Sequence, residues 1–423
     1  MIRTLDRSDV PALLARRKGS YADIYDDVQR IIADVRSHGD RALLKFCKLY
    51  DRNESGTLAV AKKEIDNALR GLDAAEKKAF AYAIKRVTAF HRREKAHIAS
   101  WTHKERGGIA CGELFMPVDS VGLYVPGGRA SYPSSVIMNA VPAMVAGVRR
   151  IVMATPSPDA RVLAVAGMLG IQEVFSMGGA HAIAALAYGT RSVDRVDKIV
   201  GPGNRYVTLA KRLVYGDAGI DMVAGPSEVV VVADGSVDPA YVAADLMAQA
   251  EHDEQAMSAL IATDRAYVRK VDEQIASRAG SMGRCDIIRN SLKNYGFAVI
   301  ADSIRQAIDI ANDIAPEHLE LAVKTPGQYV KYIRHAGAVF LGAYTPEVLG
   351  DYVAGPDHVL PTTGAARFSS GLGVYDFMKR TTVLDVNRGG FARLAPYAET
   401  IGTLEGLSAH AHAVQIRTKR NPR

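Results

Sequence analysis

From about Ser120 the chain repeats one local pattern, a short apolar run that ends in glycine or proline and then a helical stretch. Val121-Gly-Leu-Tyr-Val125 runs into Pro126-Gly-Gly128, and Ile151-Val-Met-Ala154 into Thr155-Pro156. Val174-Phe-Ser-Met177 runs into Gly178-Gly179, and Lys198-Ile-Val200 into Gly201-Pro-Gly-Asn204. The valine-rich run Glu228 to Ala233 follows, then Ala259-Leu-Ile-Ala262, Phe297-Ala-Val-Ile300 and Ala338-Val-Phe-Leu-Gly342. A strand covered on both faces reads as continuous apolar sequence, and parallel neighbours need a crossover between them. The alternation therefore predicts βαβ units, an α/β fold and parallel sheets in two successive layers. At 423 residues the chain exceeds what one core usually serves, so two main domains are expected.

The flanks carry fewer constraints. Residues 21–37 place Ile24, Val28, Ile31, Ile32 and Val35 on one face at helical spacing, and residues 74–98 predict a longer amphipathic helix. Leu360 to Leu372 reads as a long loop, and the last fifty residues as a helical tail with a basic end. The formal charge of +7 is spread along the chain rather than gathered in an aromatic-laced patch, which argues against a nucleic-acid binder. It suits either an anionic ligand such as a dinucleotide or a generally basic surface. Cys47, Cys111 and Cys285 are far apart and form no Cys-x-x-Cys pair, so a reducing compartment is expected. Met1 to Asp9 has no signal-peptide core. Val136 to Val148, interrupted by Asn139 and Pro142, is too short to span a bilayer. Both point to a cytoplasmic protein.

Glycine clusters at the carboxyl ends of three expected strands stand where α/β sheets bind ligands, although each alone is also a tight turn. Neither a Gly-x-Gly-x-x-Gly fingerprint nor a Walker A loop is present. Gln249 and His252 lie three apart at the end of an expected helix and so share one face. A metal pair and a satisfied surface histidine both fit that spacing. Glu317-His318 follows Pro316 at the mouth of an expected strand, Leu319 to Val323; a carboxylate beside an imidazole can divide acid and base roles. In a regular strand the two would face opposite ways, so a shared site needs irregular backbone there. Asp351 and His358 fall in a Gly/Pro-bearing loop segment, and His410 and His412 in the tail. Six of the eleven histidines follow residue 250, mostly beside Asp, Glu or Gln, and this clustering raises the prospect of a metal site.

Seven strings, in order, carry a resemblance to one family. They are Ser120-Val-Gly-Leu-Tyr-Val-Pro-Gly-Gly128, Gly178-Gly-Ala-His-Ala-Ile-Ala-Ala-Leu186, Asp197-Lys-Ile-Val-Gly-Pro-Gly-Asn204, Ala224-Gly-Pro-Ser-Glu-Val229, Gln249-Ala-Glu-His252, Pro316-Glu-His-Leu319 and His358-Val-Leu-Pro361. Together they resemble the histidinol dehydrogenases over about residues 20–417. The resemblance implies a homodimer of two Rossmann-like parallel-sheet domains with small N- and C-terminal helical extensions. Its boundaries would be 1–20 for the N-terminal extension, 21–122 with 232–372 for the first α/β domain, 123–231 for the NAD-contacting domain, and 373–423 for a tail reaching the partner.

The implied reaction is a Zn²⁺- and NAD-dependent four-electron oxidation of L-histidinol to L-histidine through an enzyme-held aldehyde. The family's zinc ligands map onto Gln249, His252, Asp351 and His410, the last from the partner subunit, and these groups also surround the substrate. Its acid/base pair maps onto Glu317 and His318. Ser227, His358 and Glu405 match substrate contacts, and Tyr124 and Asn204 match cofactor contacts. Cys111 matches a family cysteine with no chemical role. Two residues depart from the pattern. His181 stands where glutamine usually contacts NAD, which puts cofactor grip in doubt. Asp357 stands where asparagine is common, and it would either raise the pKa of His358 or face away. The alternatives are a same-family dehydrogenase for another alcohol such as a sulfonated propanediol, a zinc hydrolase, and a non-catalytic binding protein.

Overall fold

The computed structural model describes residues 2–17, 21–127 and 131–419. Gly128 of the first glycine run, Lys18 to Ser20 of the expected N-terminal extension, and the basic end from Arg420 lie outside the described residues. The chain forms two compact units, Met1–Glu94 with Val118–Phe377, and Lys95–Pro117 with Met378–Arg423.

The first unit holds two parallel sheets. Six strands lie in the order Arg3–Leu5, Gly296–Ile300, Met257–Ala262, Glu228–Ala233, His318–Ala322, Ala338–Leu341. Every residue of Glu228–Ala233 and Met257–Ala262 is buried, which is why these strands read as unbroken apolar runs. Helices Pro239–Ala250, Arg265–Arg278 and Cys285–Tyr295 bury Val242, Leu246, Val271, Ile275 and Leu292 in one core against this sheet. Helices Val10–Arg17 and Ile304–Ile314 place Val10, Leu13, Ile308 and Ala311 in another. Strand Arg3–Leu5 completes the sheet edge beside Gly296–Ile300.

The second sheet has five strands in the order Glu173–Ser176, Arg150–Thr155, Ser120–Tyr124, Lys198–Val200, Gly219–Ile220. Helices Tyr25–His38, Asp40–Tyr50, Gly179–Tyr188 and Arg205–Val214 share its core, with Val28, Ile31, Val35, Leu43, Ile183 and Leu209 buried together. The five expected apolar positions of residues 21–37 are all buried. The second helical stretch expected at 74–98 spans Ala74–Ala96.

The second unit departs from the expected helical tail. Its C-terminal segment opens on a nine-residue strand, Met378–Val386, paired antiparallel with Ile109–Pro117, which also pairs Trp101–Glu105. Met378–Val386 and Trp101–Glu105 are largely exposed, so no apolar run marks them, and Ile109–Pro117 between them is mostly half-buried; only the β-branched Thr381-Thr-Val383 hints at the first. Helices Arg388–Leu404 and Ser408–Lys419 follow. No described helix is long and apolar enough to cross a membrane.

Candidate active site

Each sheet of the first unit reverses its strand order at one point, and the expected site residues gather there. In the five-stranded sheet the chain steps outward from Ser120–Tyr124 and then returns to Lys198–Val200 on the other side. Ligands bind at the carboxyl edge of such a switch point. Tyr124 ends one flanking strand, and Asn204 follows the other. Gly201 can only be glycine: its φ is +113°, and a Cβ would sit 2.1 Å from the Tyr124 carbonyl oxygen. The Asp221 carboxylate accepts the Gly201 N–H at 2.8 Å and pairs with buried Lys211, whose ammonium donates to the Gly201 carbonyl at 2.9 Å. The Asn204 Oδ1 caps helix Arg205–Val214 by accepting from Tyr206 N and Val207 N. The Tyr124 hydroxyl accepts the Gly179 N–H at 3.2 Å. Beside them lies a crevice of ≈ 250 Å³ lined by Pro126, Gly127, Ser131, Thr155, Ser157 and Asp159. An edge of this form, with bare glycine backbone and a helix N-terminus, fits a dinucleotide.

The six-stranded sheet switches between Glu228–Ala233 and His318–Ala322, and here the cluster sits at the amino ends of the strands. Residues 221–227 connect the carboxyl edge of one sheet to the amino edge of the other. Thr208 Oγ1 donates to the Ala224 carbonyl at 3.2 Å, and Gly225 N donates to Thr362 Oγ1. Glu317 ends the connection after Pro316, and His318 opens the strand one residue earlier than expected. The backbone at this junction is therefore irregular enough for both side chains to point into one space. His318 Nδ1 lies 3.7 Å from Glu317 Oε2 and 3.5 Å from Glu347 Oε2, and Nε2 lies 3.7 Å from Asp351 Oδ1.

The hydrogen bonds assign the protons. His318 Nδ1 is 3.0 Å from the Glu228 carbonyl oxygen, which can only accept, so Nδ1 carries the hydrogen and Nε2 is the free end of the ring. That Nε2 is buried and has no hydrogen-bond partner. Burial opposes charge on this ring, but the carboxylates of Glu317, Glu347 and Asp351 outweigh it and hold the pKa well above its ordinary value. Glu317 accepts the Glu228 N–H at 2.8 Å, and burial pushes its carboxyl up to about 7. A carboxyl group that titrates near neutrality can act as acid or base.

Around this pair stand the other expected residues. Gln249, in the last turn of helix Pro239–Ala250, is buried, and neither its Oε1 nor its Nε2 has a partner. A buried amide left unpaired costs about 1–3 kcal/mol, so a ligand that takes its oxygen relieves a real penalty. His252, two residues past the helix, stands at the rim with one side open to solvent; the protein around the rest of its ring lowers its pKa. His358 Nδ1 donates to the Asp351 carbonyl at 3.0 Å, and burial lowers its pKa too. Both rings are thereby kept neutral, the form that binds a metal or a polar substrate. Burial raises the Asp351 carboxyl, but His318, His358 and His252 outweigh it and hold it below its ordinary value, so it is ionised. An amide oxygen, a neutral imidazole and a carboxylate fit a divalent cation. Ser227 is half-buried at the start of the central strand. Glu405 and His410 are exposed and belong to the second unit.

Sequence reasoning missed three contributors. Arg17, from the N-terminal helix, pairs with Glu228 at 2.5 Å in full burial and donates to the carbonyls of Pro226, Ser227 and Gln255. It ties down the chain that carries Ser227. Glu347 lies beside His318, and Glu320 accepts the Glu347 N–H at 2.8 Å. Glu320 sits in the middle of an apolar strand, an inward-facing carboxylate that was readable as such. Burial raises the carboxyls of Glu347, Glu320 and Asp245; repulsion from neighbouring carboxylates adds to it at Glu347 and Glu320, while Asp245, drawn back by its hydrogen bond with Glu320, still reaches about 6.

The two departures resolve differently. His181 is buried, and its Nε2 lies 2.8 Å from Asp51 Oδ2. Asp357 faces away from His358: its Oδ1 accepts the Val359 N–H at 2.8 Å, and its Oδ2, without a hydrogen-bond partner, lies 3.8 Å from His91. Burial holds the Asp357 carboxyl well above its ordinary range. A raised folded-state pKa means that stability is lost as pH climbs from the unfolded value, about 3.9, through the folded one. Asp357→Asn removes that loss. It is expected to raise the melting temperature at pH 8 by several degrees and to leave it unchanged near pH 4. Equal melting curves at both pH values would contradict the buried, strained carboxyl.

The two parallel sheets and the buried cluster of titratable groups are those of an α/β enzyme, and the family match makes it an oxidoreductase. The histidinol dehydrogenase profile matches residues 14–418, and the chain belongs to that family. It is 48% identical over 418 residues to the histidinol dehydrogenase of Dechloromonas aromatica, covering 97% of this chain and 96% of the relative. It is 48% identical over 416 residues to that of Rhodospirillum rubrum, covering 97% and 95%. The crystal structure of histidinol dehydrogenase from Elizabethkingia anophelis superposes with a TM-score of 0.93 at 33% identity, covering 98% of this chain and 97% of that one.

Proposed function

We propose that the chain oxidises L-histidinol to L-histidine with NAD⁺, in line with its histidinol dehydrogenase relatives, and that it works in the cytoplasm, where its three unpaired cysteines stay thiols. The observation that carries this reading is Gln249: a fully buried amide with no protein partner, on the same sheet edge as His252, Asp351 and the Glu317–His318 pair. Gln249, His252 and Asp351, with His410 of a second copy, would hold a zinc ion. Ser227, His358 and Glu405 would line the substrate, and Tyr124 and Asn204 the cofactor. When bound, zinc supplies a positive anchor for the substrate's nitrogen donors and NAD⁺ a hydride acceptor.

The chain's own groups then handle protons. With the zinc charge offsetting the carboxylates that otherwise favour its protonated form, His318 would be neutral, and its Nε2 would take the hydroxyl proton as the alcohol is oxidised to the aldehyde. Glu317 takes a proton from the water that adds to the aldehyde, giving the hydrate. His318, having released its first proton, takes a second as the hydrate becomes the acid. The hydrogen bond from Nδ1 to Glu228 keeps the ring in the tautomer that both steps need.

Two NADH should form per L-histidinol consumed, followed by nicotinamide absorbance at limiting substrate. A ratio of one would sink the four-electron reading, and no NADH at all would favour hydrolysis. If His410 acts across a dimer, mixing inactive His410→Ala with inactive His318→Ala should restore up to about a quarter of activity. No recovery in verified heterodimers would place the tail on its own chain's site.

A further inference from the structure

Away from the acid/base pair, the described residues contain one group of three side chains with metal-ligand chemistry in close reach. Cys47 lies in helix Asp40–Tyr50, and Asp51 follows that helix four residues later, on the same face. His181 lies in the first turn of helix Gly179–Tyr188. One ligand atom of each falls within 4.8 Å of the other two. Cys47 and His181 are each 1% exposed, and the Asp51 side chain 6%. Asp51 Oδ2 lies 2.8 Å from His181 Nε2 and accepts the Gly178 N–H at 2.8 Å. The other ring nitrogen, His181 Nδ1, is buried and has no partner at all. Phe46 and Tyr50 flank the imidazole, with ring centroids 5.9 and 6.1 Å away.

We propose that Cys47, Asp51 and His181 form a binding site for one divalent transition-metal ion of the zinc type, distinct from the group at Gln249, His252 and Asp351. Thiolate, imidazole and carboxylate are together a zinc donor set, at bond lengths of about 2.0–2.3 Å. Such bonds place tetrahedral donors about 3.3–3.8 Å apart, so Asp51 and His181, at 2.8 Å, would part by about 0.5 Å and the wider separations, within 4.8 Å, would close by up to about 1 Å. On loading, Cys47 gives up its thiol proton to solvent, and the thiolate and carboxylate charges balance the ion. His181 Nε2, the ring nitrogen facing Asp51, would bind the ion, and the unpartnered Nδ1 would carry the ring's hydrogen. The ion would join helix Asp40–Tyr50 to the Gly178-Gly179 turn, whose next N–H is bonded to Tyr124. It would thus brace the floor of the dinucleotide crevice. The glutamine usual at position 181 in the resembling family offers no imidazole, so the site belongs to this chain in particular.

Cobalt tests this directly. The full-length protein is stripped with a chelator and titrated with Co²⁺ as the probe. Two ions per chain are expected, with an intense near-ultraviolet thiolate-to-cobalt band. The Gln249, His252, Asp351 and His410 set contains no sulfur, so the band reports the Cys47 site alone. His181→Gln should weaken the band-forming site at least tenfold, and Cys47→Ser should abolish the band. The double variant Cys111→Ser/Cys285→Ser should retain it. If Cys47→Ser does not fold, His181→Gln decides. One ion with the band would uphold this site and count against the other; one ion without the band would overturn it. A band indifferent to both His181→Gln and Cys47→Ser would also overturn it.

Discussion

His318→Ala is expected to lower NADH formation from L-histidinol by about 10²–10⁴-fold while the bound zinc content stays at the parent value. His318 is the one imidazole of the cluster whose outward nitrogen is buried, unpartnered and held in a fixed tautomer. Alanine deletes the proposed proton acceptor and leaves Gln249, His252 and Asp351 in place. It also removes the positive partner that Glu317, Glu347 and Asp351 share, so part of the loss is electrostatic. His318→Asn separates loss of the imidazole's proton exchange and charge from loss of packing and of the Glu228 hydrogen bond. It keeps a donor toward the Glu228 carbonyl and fills the space but neither exchanges a proton nor carries a charge, so it should be nearly as inactive as His318→Ala and more stable. Activity by NADH absorbance and metal by elemental analysis check this. A rate within tenfold of the parent, or loss of zinc in both variants, would show the roles misassigned.

The fold was legible wherever burial writes itself into sequence. Glu228–Ala233 and Met257–Ala262 are buried along their whole length, so their apolar runs announced parallel strands. Met378–Val386 is exposed along nearly its whole length and carried no such signature. The site divides in the same way. The expected roles of His318, Gln249 and Asp351 followed from resemblance, since neither Glu-His nor Gln-x-x-His spacing is specific by itself. What no local pattern could supply were partners distant in sequence. His181 meets Asp51 across 130 residues, and Arg17 meets Glu228 across 211. Each is an ordinary polar residue in its own helix, helix end or strand until tertiary packing brings the two together.

Arg17→Met should destabilise the protein by about 3–5 kcal/mol, because removing one partner of a buried ion pair strands the other charge. Burial pushes the Glu228 carboxyl up, and the Arg17 guanidinium is the chief influence drawing it back down. Without Arg17 the carboxyl holds its proton to higher pH, which limits the penalty in acid. The sign follows: a raised folded-state pKa loses stability as pH rises, so the deficit should be larger at pH 8.5 than at pH 6. Glu228 also carries the two backbone atoms that orient the acid/base pair, its N–H to Glu317 and its carbonyl to His318. Arg17 in addition holds the Ser227 carbonyl from outside the sheet. The variant should therefore lose turnover beyond what unfolding explains. Arg17→Met/Glu228→Gln removes both charges and should recover most of the stability, as neutral replacements of buried pairs often do. It should not recover turnover, since the Ser227 segment stays unanchored. Denaturant midpoints at the two pH values, with turnover measured well below the unfolding transition, separate the two roles. A single variant within about 1 kcal/mol of the parent at pH 8.5 would show that solvent or another cation neutralises Glu228 there, and that the N-terminal helix is not what holds this edge of the site.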